Sequence, residues 1–180
     1  MTRNFKTIIL LLVVAAPCAA TLQQDQQPSQ IPQWKHARSD DPLHGKVIDT
    51  LTLEGKYLTP PRTPSGSTVP SLVVECSGGK VQKTYIVVGA VVSLQEHGLL
   101  AGTLEERIDG KPGHLFTISI STDGTAVFFM TDDFKKILRA HRAIFGAQEY
   151  LGPEVVFEFD MPDPSPVYAG CGNERSLRPK

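Results

Sequence analysis

The sequence predicts a mainly β domain, an antiparallel sandwich or barrel-like fold with one amphipathic helix. Three observations carry that expectation. About seven short segments alternate apolar and polar residues with a period of two. Turn-forming residues separate them at intervals of about 8–12 residues. Only one segment carries the 3.6-residue period of a helix, and 15 glycines and 14 prolines in 180 residues leave little room for more.

Taken in order, Trp34 opens the ordered sequence as a core or edge anchor. Val47 to Leu53 alternates at Val47, Leu51 and Leu53, and Asp49 breaks the pattern. Residues 56–70 hold four prolines and read as a long loop. Ser71 to Cys76 puts Leu72, Val74 and Cys76 on one face of a short strand, and Ser77-Gly78-Gly79 turns the chain. Lys83 to Leu94 reads as a long strand with a bulge at Gly89. Leu99 to Ile108 is a weaker strand ending at Asp109-Gly110, a hairpin signal. His114 to Thr122 sets Phe116, Ile118 and Ile120 against Thr117, Ser119 and Ser121, and Thr125 to Met130 returns after Asp123-Gly124. Val155 to Met161 alternates Val155, Phe157 and Phe159 against Val156, Glu158 and Asp160, and a last short strand carries Val167, Tyr168 and Cys171. The helix is expected over Asp132 to Gly146, where Phe134, Ile137, Leu138, Ile144 and Phe145 share a face, Thr131 or Asp132 caps the start and Gly146 ends it.

The chain divides into residues 1–20, 21–33, 34–172 and 173–180. The first stretch has Arg3 and Lys6, a ten-residue apolar run from Thr7 to Ala16, and small residues to Ala20. That is the layout of a secretory signal peptide, and the run is about half of what a transmembrane helix needs. Cleavage after Ala20 is expected. The competing reading is a lipoprotein signal acylated at Cys18, for which Pro17 is a poor neighbour. Residues 21–33 are a Gln- and Pro-rich flexible leader, 34–172 a single β-rich domain, and 173–180 a polar tail. Periplasmic or secreted localisation follows from export.

Removing residues 1–20 takes the net charge from −1 to −3, which argues against a nucleic-acid partner. It leaves Cys76 and Cys171. An even pair in an oxidising compartment reads as a disulfide; two free thiols are the alternative, although no Cys-x-x-Cys motif is present.

Catalytic motifs are missing: no Gly-x-Ser-x-Gly, His-Glu-x-x-His, Gly-x-Gly-x-x-Gly or P-loop occurs. Glu105 and Glu106 are adjacent, so on a strand they face opposite ways and cannot form an acid/base pair. His36, Asp40, Asp41 and His44 are a ligand-like cluster in an expected loop, but the spacing matches no compact metal site. No metal or other cofactor is expected. His141 falls on or beside the apolar helix face, as a partly buried histidine or a pH-sensitive contact. Lys135, Lys136, Arg139 and Arg142 form a positive stripe on the expected helix. It reads either as a solvated face or as a dock for a protein partner or an anionic envelope surface.

Several segments resemble the VasI-like family of type VI secretion-associated proteins, exported accessory proteins of Gram-negative bacteria. They are Trp34, Ser39-Asp40-Asp41, Pro70 to Cys76, Glu106 to Pro112, Asp123-Gly124, Phe134 to Phe145, Val155 to Asp160, and Cys171-Gly172. The resemblance covers about residues 34–172. It implies a small disulfide-linked β-sandwich and supplies no enzymatic residues. The expected function is therefore an exported envelope accessory or binding module without catalytic activity. The alternative is an envelope hydrolase whose active site follows no motif.

Overall fold

A computed structural model describes residues 31–93 and 103–172. The expected signal peptide, most of the leader, residues 94–102 of the expected strands and the polar tail lie outside them. The strands are β1 (Lys35–Asp41), β2 (Lys46–Glu54), β3 (Lys56–Thr59), β4 (Ser71–Ser77), β5 (Lys80–Val87), β6 (Thr103–Ile108), β7 (Lys111–Ile120), β8 (Ala126–Phe129), β9 (Arg142–Gln148) and β10 (Glu154–Asp160). Two short helices, α1 (Thr131–Ile137) and α2 (Ser165–Gly170), complete the described chain. All pairings are antiparallel, and the spatial order is β1-β2-β4-β5-β8-β7-β6-β9-β10-β3.

That order returns to its own beginning, because β3 is the continuation of β2 past Gly55. Two strand paths turn the corners between the layers. The first half of β7 pairs with β6 and its second half with β8, with a register break between Thr117 and Ser119. At the other corner β2 pairs with β4 and β3 with β10. Strands that switch layers through bends or bulges are how a β-sandwich makes corners. Gly55 is required at the second corner. A Cβ there would lie 2.5 Å from the Glu158 carbonyl oxygen and 2.7 Å from the Phe159 ring.

The period-two pattern decides which side chains fill the interior. Leu51 and Leu53 of β2, Leu72, Val74 and Cys76 of β4, Ile86 of β5, and Val127 and Phe129 of β8 are buried. Opposite them lie Leu104 of β6, Leu115 of β7, Ala143, Phe145 and Ala147 of β9, and Val155, Phe157 and Phe159 of β10. The Phe145, Phe157 and Phe159 rings sit 5.9–6.1 Å apart in tilted and edge-on contacts, the geometry aromatic quadrupoles favour. Phe134 and Ile137 of α1 are fully buried, and Phe134 meets Trp34 edge-on.

The disulfide joins Cys76 of β4 to Cys171 just after α2, with Cα atoms 5.1 Å apart and 95 positions of chain between them. Both cysteines are fully buried. In the chain-entropy model a loop of this length gives about 4–5 kcal/mol. The bond holds α2 against β2, where Gly170 packs beside Leu51.

The antiparallel β fold agrees with the sequence, and several local expectations need correction. The helix expected to Gly146 stops at Ile137, and residues 142–148 are strand β9. Ala143, Phe145 and Ala147 alternate with Arg142, Ile144 and Gln148, and this segment pairs with both β6 and β10. Two ladders outweigh a propensity worth tenths of a kcal/mol per residue. The strand expected at Val167 to Cys171 is helix α2, which starts where Asp163 accepts the Ser165 N–H at 3.1 Å. Lys35–Asp41 and Lys56–Thr59, expected as leader-proximal loop and Pro-rich loop, are strands whose pairing comes from distant segments. In β7 the buried residues are Leu115 and Thr117, while Phe116 and Ile118 are exposed. Leu115 lies opposite Leu104, and filling that interior row fixes the register.

Gly55→Ala should destabilise the protein by about 1–3 kcal/mol in urea unfolding, the cost of forcing a methyl into a packed site. The clash is with backbone, so β10 must shift. Gly45→Ala meets no atom within 4 Å and costs only the left-handed strain of its φ of +60°, about 1–2 kcal/mol, with no strand displaced.

Candidate functional site

The outer face of the β7-β6-β9-β10 layer carries a groove of about 660 Å³. Two cross-strand rows build it. His114, Glu105, Gly146 and Val156 lie in register across β7, β6, β9 and β10. Pro112, Arg107, Ile144 and Glu158 form the next row. Gly146 leaves the floor open between Ile144 and Val156. The Glu154 carboxylate lies over that gap, where a side chain on Gly146 would be, with the Cβ of Glu105 beside it. The Glu154 carboxylate and the stem of Glu105 therefore border the same gap, and His114 and Arg107 line the groove with them. Directly opposed residues on one sheet face have Cβ atoms about 4.5–5.5 Å apart, so a ligand lying across β6 and β7 meets Glu105 and His114 together.

Glu105 faces this groove and Glu106 is buried on the opposite face, as adjacent strand residues must be. Lys136 of α1 pairs with the Glu106 carboxylate. Asp133 on the same helix has its carboxyl pushed up, by burial first and then by the nearby Glu106 charge.

Glu158 is the buried carboxylate of the second row, with 1% of its side chain exposed. Burial alone would raise its pKa. The bonds from Lys56 and Arg142 outweigh burial and hold it below the usual carboxylate value. Arg142 donates from Nε at 2.7 Å and also from Nη2 to the same oxygen, and Lys56 contacts the other oxygen. The Lys56 ammonium is correspondingly pushed up by its bond to Glu158.

The expected positive stripe does not form. Lys135 bonds Asp132 at 2.8 Å, Lys136 is tied to Glu106, and Arg142 lies on β9 against Glu158. Arg139 sits in the turn between α1 and β9 and is exposed. The side chain of His141 is exposed rather than partly buried, and its backbone N–H donates to Asp109 at 2.9 Å. With the helix ended at Ile137, His141 no longer lies over its apolar face.

The cluster of His36, Asp40, Asp41 and His44 is divided. His36 Nε2 and Arg38 Nε both reach Asp49 Oδ1 at 2.8 Å. Those bonds, Arg38 first, lower the Asp49 pKa. Asp41 instead binds His44 Nδ1 at 2.7 Å and caps the turn through the Leu43 and His44 N–H groups. Asp41 and His44 also border a smaller groove of about 240 Å³ with Lys46, Glu75 and Lys83. Among the described residues no group of three or more His, Cys, Asp or Glu side chains is placed to hold a metal ion.

Three site-shaping residues were missed by reading the sequence: Asp49, Glu158 and Glu149. Asp49 left a signal as the break in the β2 alternation. Glu158 read as an ordinary outward residue. Glu149 is buried and accepts the Arg62 and Thr63 N–H groups at 3.0 and 2.9 Å, which fixes the Pro-rich loop.

A lowered folded-state pKa at Glu158 adds stability that is present above its ordinary carboxylate pKa and lost as pH falls through the folded value. Glu158→Gln should therefore cost about 1–3 kcal/mol near pH 7. The gap between wild type and variant should close on acidification below about pH 4, read as thermal midpoints across a pH series. No family model, curated protein or solved structure matches this chain.

Proposed function

We propose that this chain is an exported binding module without catalytic activity, and that it takes up a segment of a protein partner in the groove over Gly146. The observation that carries this reading is the groove itself. It is open, floored by Ile144 and Val156, and edged by Glu105 and Arg107 of β6, His114 of β7 and Glu154 of β10. Such a surface offers an extended chain both apolar contact and charged ends to bind, as polar-rimmed interfaces do. The engagement of Lys135, Lys136 and Arg142 by the chain's own carboxylates favours a protein partner over an anionic envelope surface.

Export is supported by Arg3, Lys6 and the apolar run that follows. The Cys76–Cys171 bond fits an oxidising compartment, and no described helix is long and apolar enough to cross a membrane. The resemblance to VasI-like proteins supports an accessory role at the envelope of a type VI secretion system. A second reading rests on Glu105 and Glu154 lining one groove, two carboxyl groups that an envelope hydrolase could use as acid and base. Turnover of an envelope polymer, lost in both Glu105→Gln and Glu154→Gln, would favour it.

A photo-crosslinking residue in place of Val156 should capture a protein in cells, and one in place of the exposed Met130 should not. Adding Glu105→Lys and Glu154→Lys should abolish the Val156 product while changing stability by about 0.5 kcal/mol or less. Capture that persists with both charges reversed would contradict the groove reading. The purified exported chain should begin at Thr21; an acylated Cys18 would replace a free module with an anchored one.

A further inference from the structure

We infer that β1 is a self-pairing edge, through which two copies of this chain join antiparallel into one continuous sheet. This goes beyond the groove reading and uses a different face.

Among the described residues the sheet has two ends, β1 and β3. They are unequal. β3 has four residues and runs directly into Pro60-Pro61, which cannot donate to a further ladder. β1 has seven residues without a proline, pairs with β2 along its whole length, and is exposed from Lys35 to Asp40. On its far side backbone N–H and C=O groups point away from β2, and among the described residues no strand pairs with them.

Charged residues commonly guard such edges, and β1 is rich in them. Here most are drawn back onto the chain's own groups. Lys35 reaches Glu54, His36 and Arg38 reach Asp49, and Asp41 binds His44. The charges are also segregated. Lys35, His36 and Arg38 occupy the first half, Asp40 and Asp41 the second. An antiparallel pair of identical strands sets first half against second half, so this pattern is complementary to itself, as a two-fold interface requires.

The pattern also selects one register. Pairing centred on Arg38 would set Lys35 against Asp41 of the partner subunit and His36 against Asp40 of the partner subunit, but it would put the Arg38 guanidinium opposite its own copy and draw on Lys35, His36 and Asp41, which Glu54, Asp49 and His44 already hold. Pairing centred on Ala37 would put His36 opposite Arg38. Centred on Ser39, Arg38 faces Asp40 of the partner subunit, Ala37 faces Asp41 of the partner subunit, and the two copies of Ser39 face each other. Residues directly opposed across an antiparallel pair lie on the same sheet face, so Arg38 and Asp40 meet in both halves of the dimer. Only about five residues per copy pair in this register. The buried area falls below the roughly 1,200 Å² of a standard interface, so the association is weak and concentration-dependent.

The test uses the exported, disulfide-bonded chain in sedimentation velocity over a concentration series to about 1 mM, the weak limit of specific association. A monomer–dimer equilibrium is expected, and Asp40→Arg should weaken it at least about tenfold, because like charges opposed across strands repel. Ser39→Cys should give a covalent dimer under mild oxidation, because opposed Cβ atoms at a strand pair lie within disulfide reach. Ala37→Cys, which faces Asp41 of the partner subunit, should not. A monomer at every concentration overturns the inference. So does a dimer that Asp40→Arg leaves intact, or oxidation of Ser39→Cys no faster than that of Ala37→Cys. None of these results bears on capture at Val156, so the groove reading stands or falls separately.

Discussion

The contact of Gly55 with β10 is the constraint on which the rest of the structure depends. The chain leaves β2, bends where no side chain is tolerated, and enters β3 against β10. That single path turns a meandering sheet into one that closes on itself. Closure gathers the Phe145, Phe157 and Phe159 rings into one buried cluster with Leu51, Leu53 and Leu72. It also fixes the outer surface. The Glu158 carboxylate sits where β10 runs beside β3, so Lys56 can reach it from one side and Arg142 from the other.

Buried carboxylates then act as local ties between elements that share little apolar contact. Glu106 holds α1 through Lys136, Asp49 holds β1 through His36 and Arg38, and Glu149 holds the Pro-rich loop through two backbone N–H groups. Asp109 does the same for the α1–β9 turn, accepting from the His141 and Arg142 N–H groups, which lowers its pKa. Each is a charge-assisted contact, about twice as strong as a neutral hydrogen bond. The arrangement explains why the basic residues near α1 are poor reporters of a docking surface: Lys135, Lys136 and Arg142 are spent on internal structure. The charged side chains that border the outer groove are instead Glu105, Arg107 and Glu154.

Period-two alternation made most of the strands legible. Ser71 to Cys76 and Val155 to Met161 lie within a residue of β4 and β10, and the cysteine pair that closes 95 positions could be read from count and compartment. The failures share a physical cause. Ile144 and Phe145 fit a helix after Phe134, Ile137 and Leu138 because apolar residues at 7 and 8 positions suit a 3.6-residue period. The same residues fit β9 once β6 and β10 flank them, and only the fold supplies those neighbours. β1 has no apolar alternation at all, so nothing in its composition marks it as a strand. The groove was illegible for a related reason. Glu105, His114, Gly146 and Glu154 are scattered over 50 residues and become neighbours only through three strand registers.

Native-state hydrogen exchange on the disulfide-bonded chain tests closure most directly, because it reports the opening free energy of each ladder separately. If β3 closes the sheet, the bonded amides of Lys56–Thr59 and of Val156–Glu158 opposite them exchange only with global unfolding, at the same free energy as the amides of β4. Exchange of the β3–β10 ladder at a much lower free energy, with β4 still fully protected, would mean that the sheet is open at β3 and that Gly55 is a local bend rather than the closing corner.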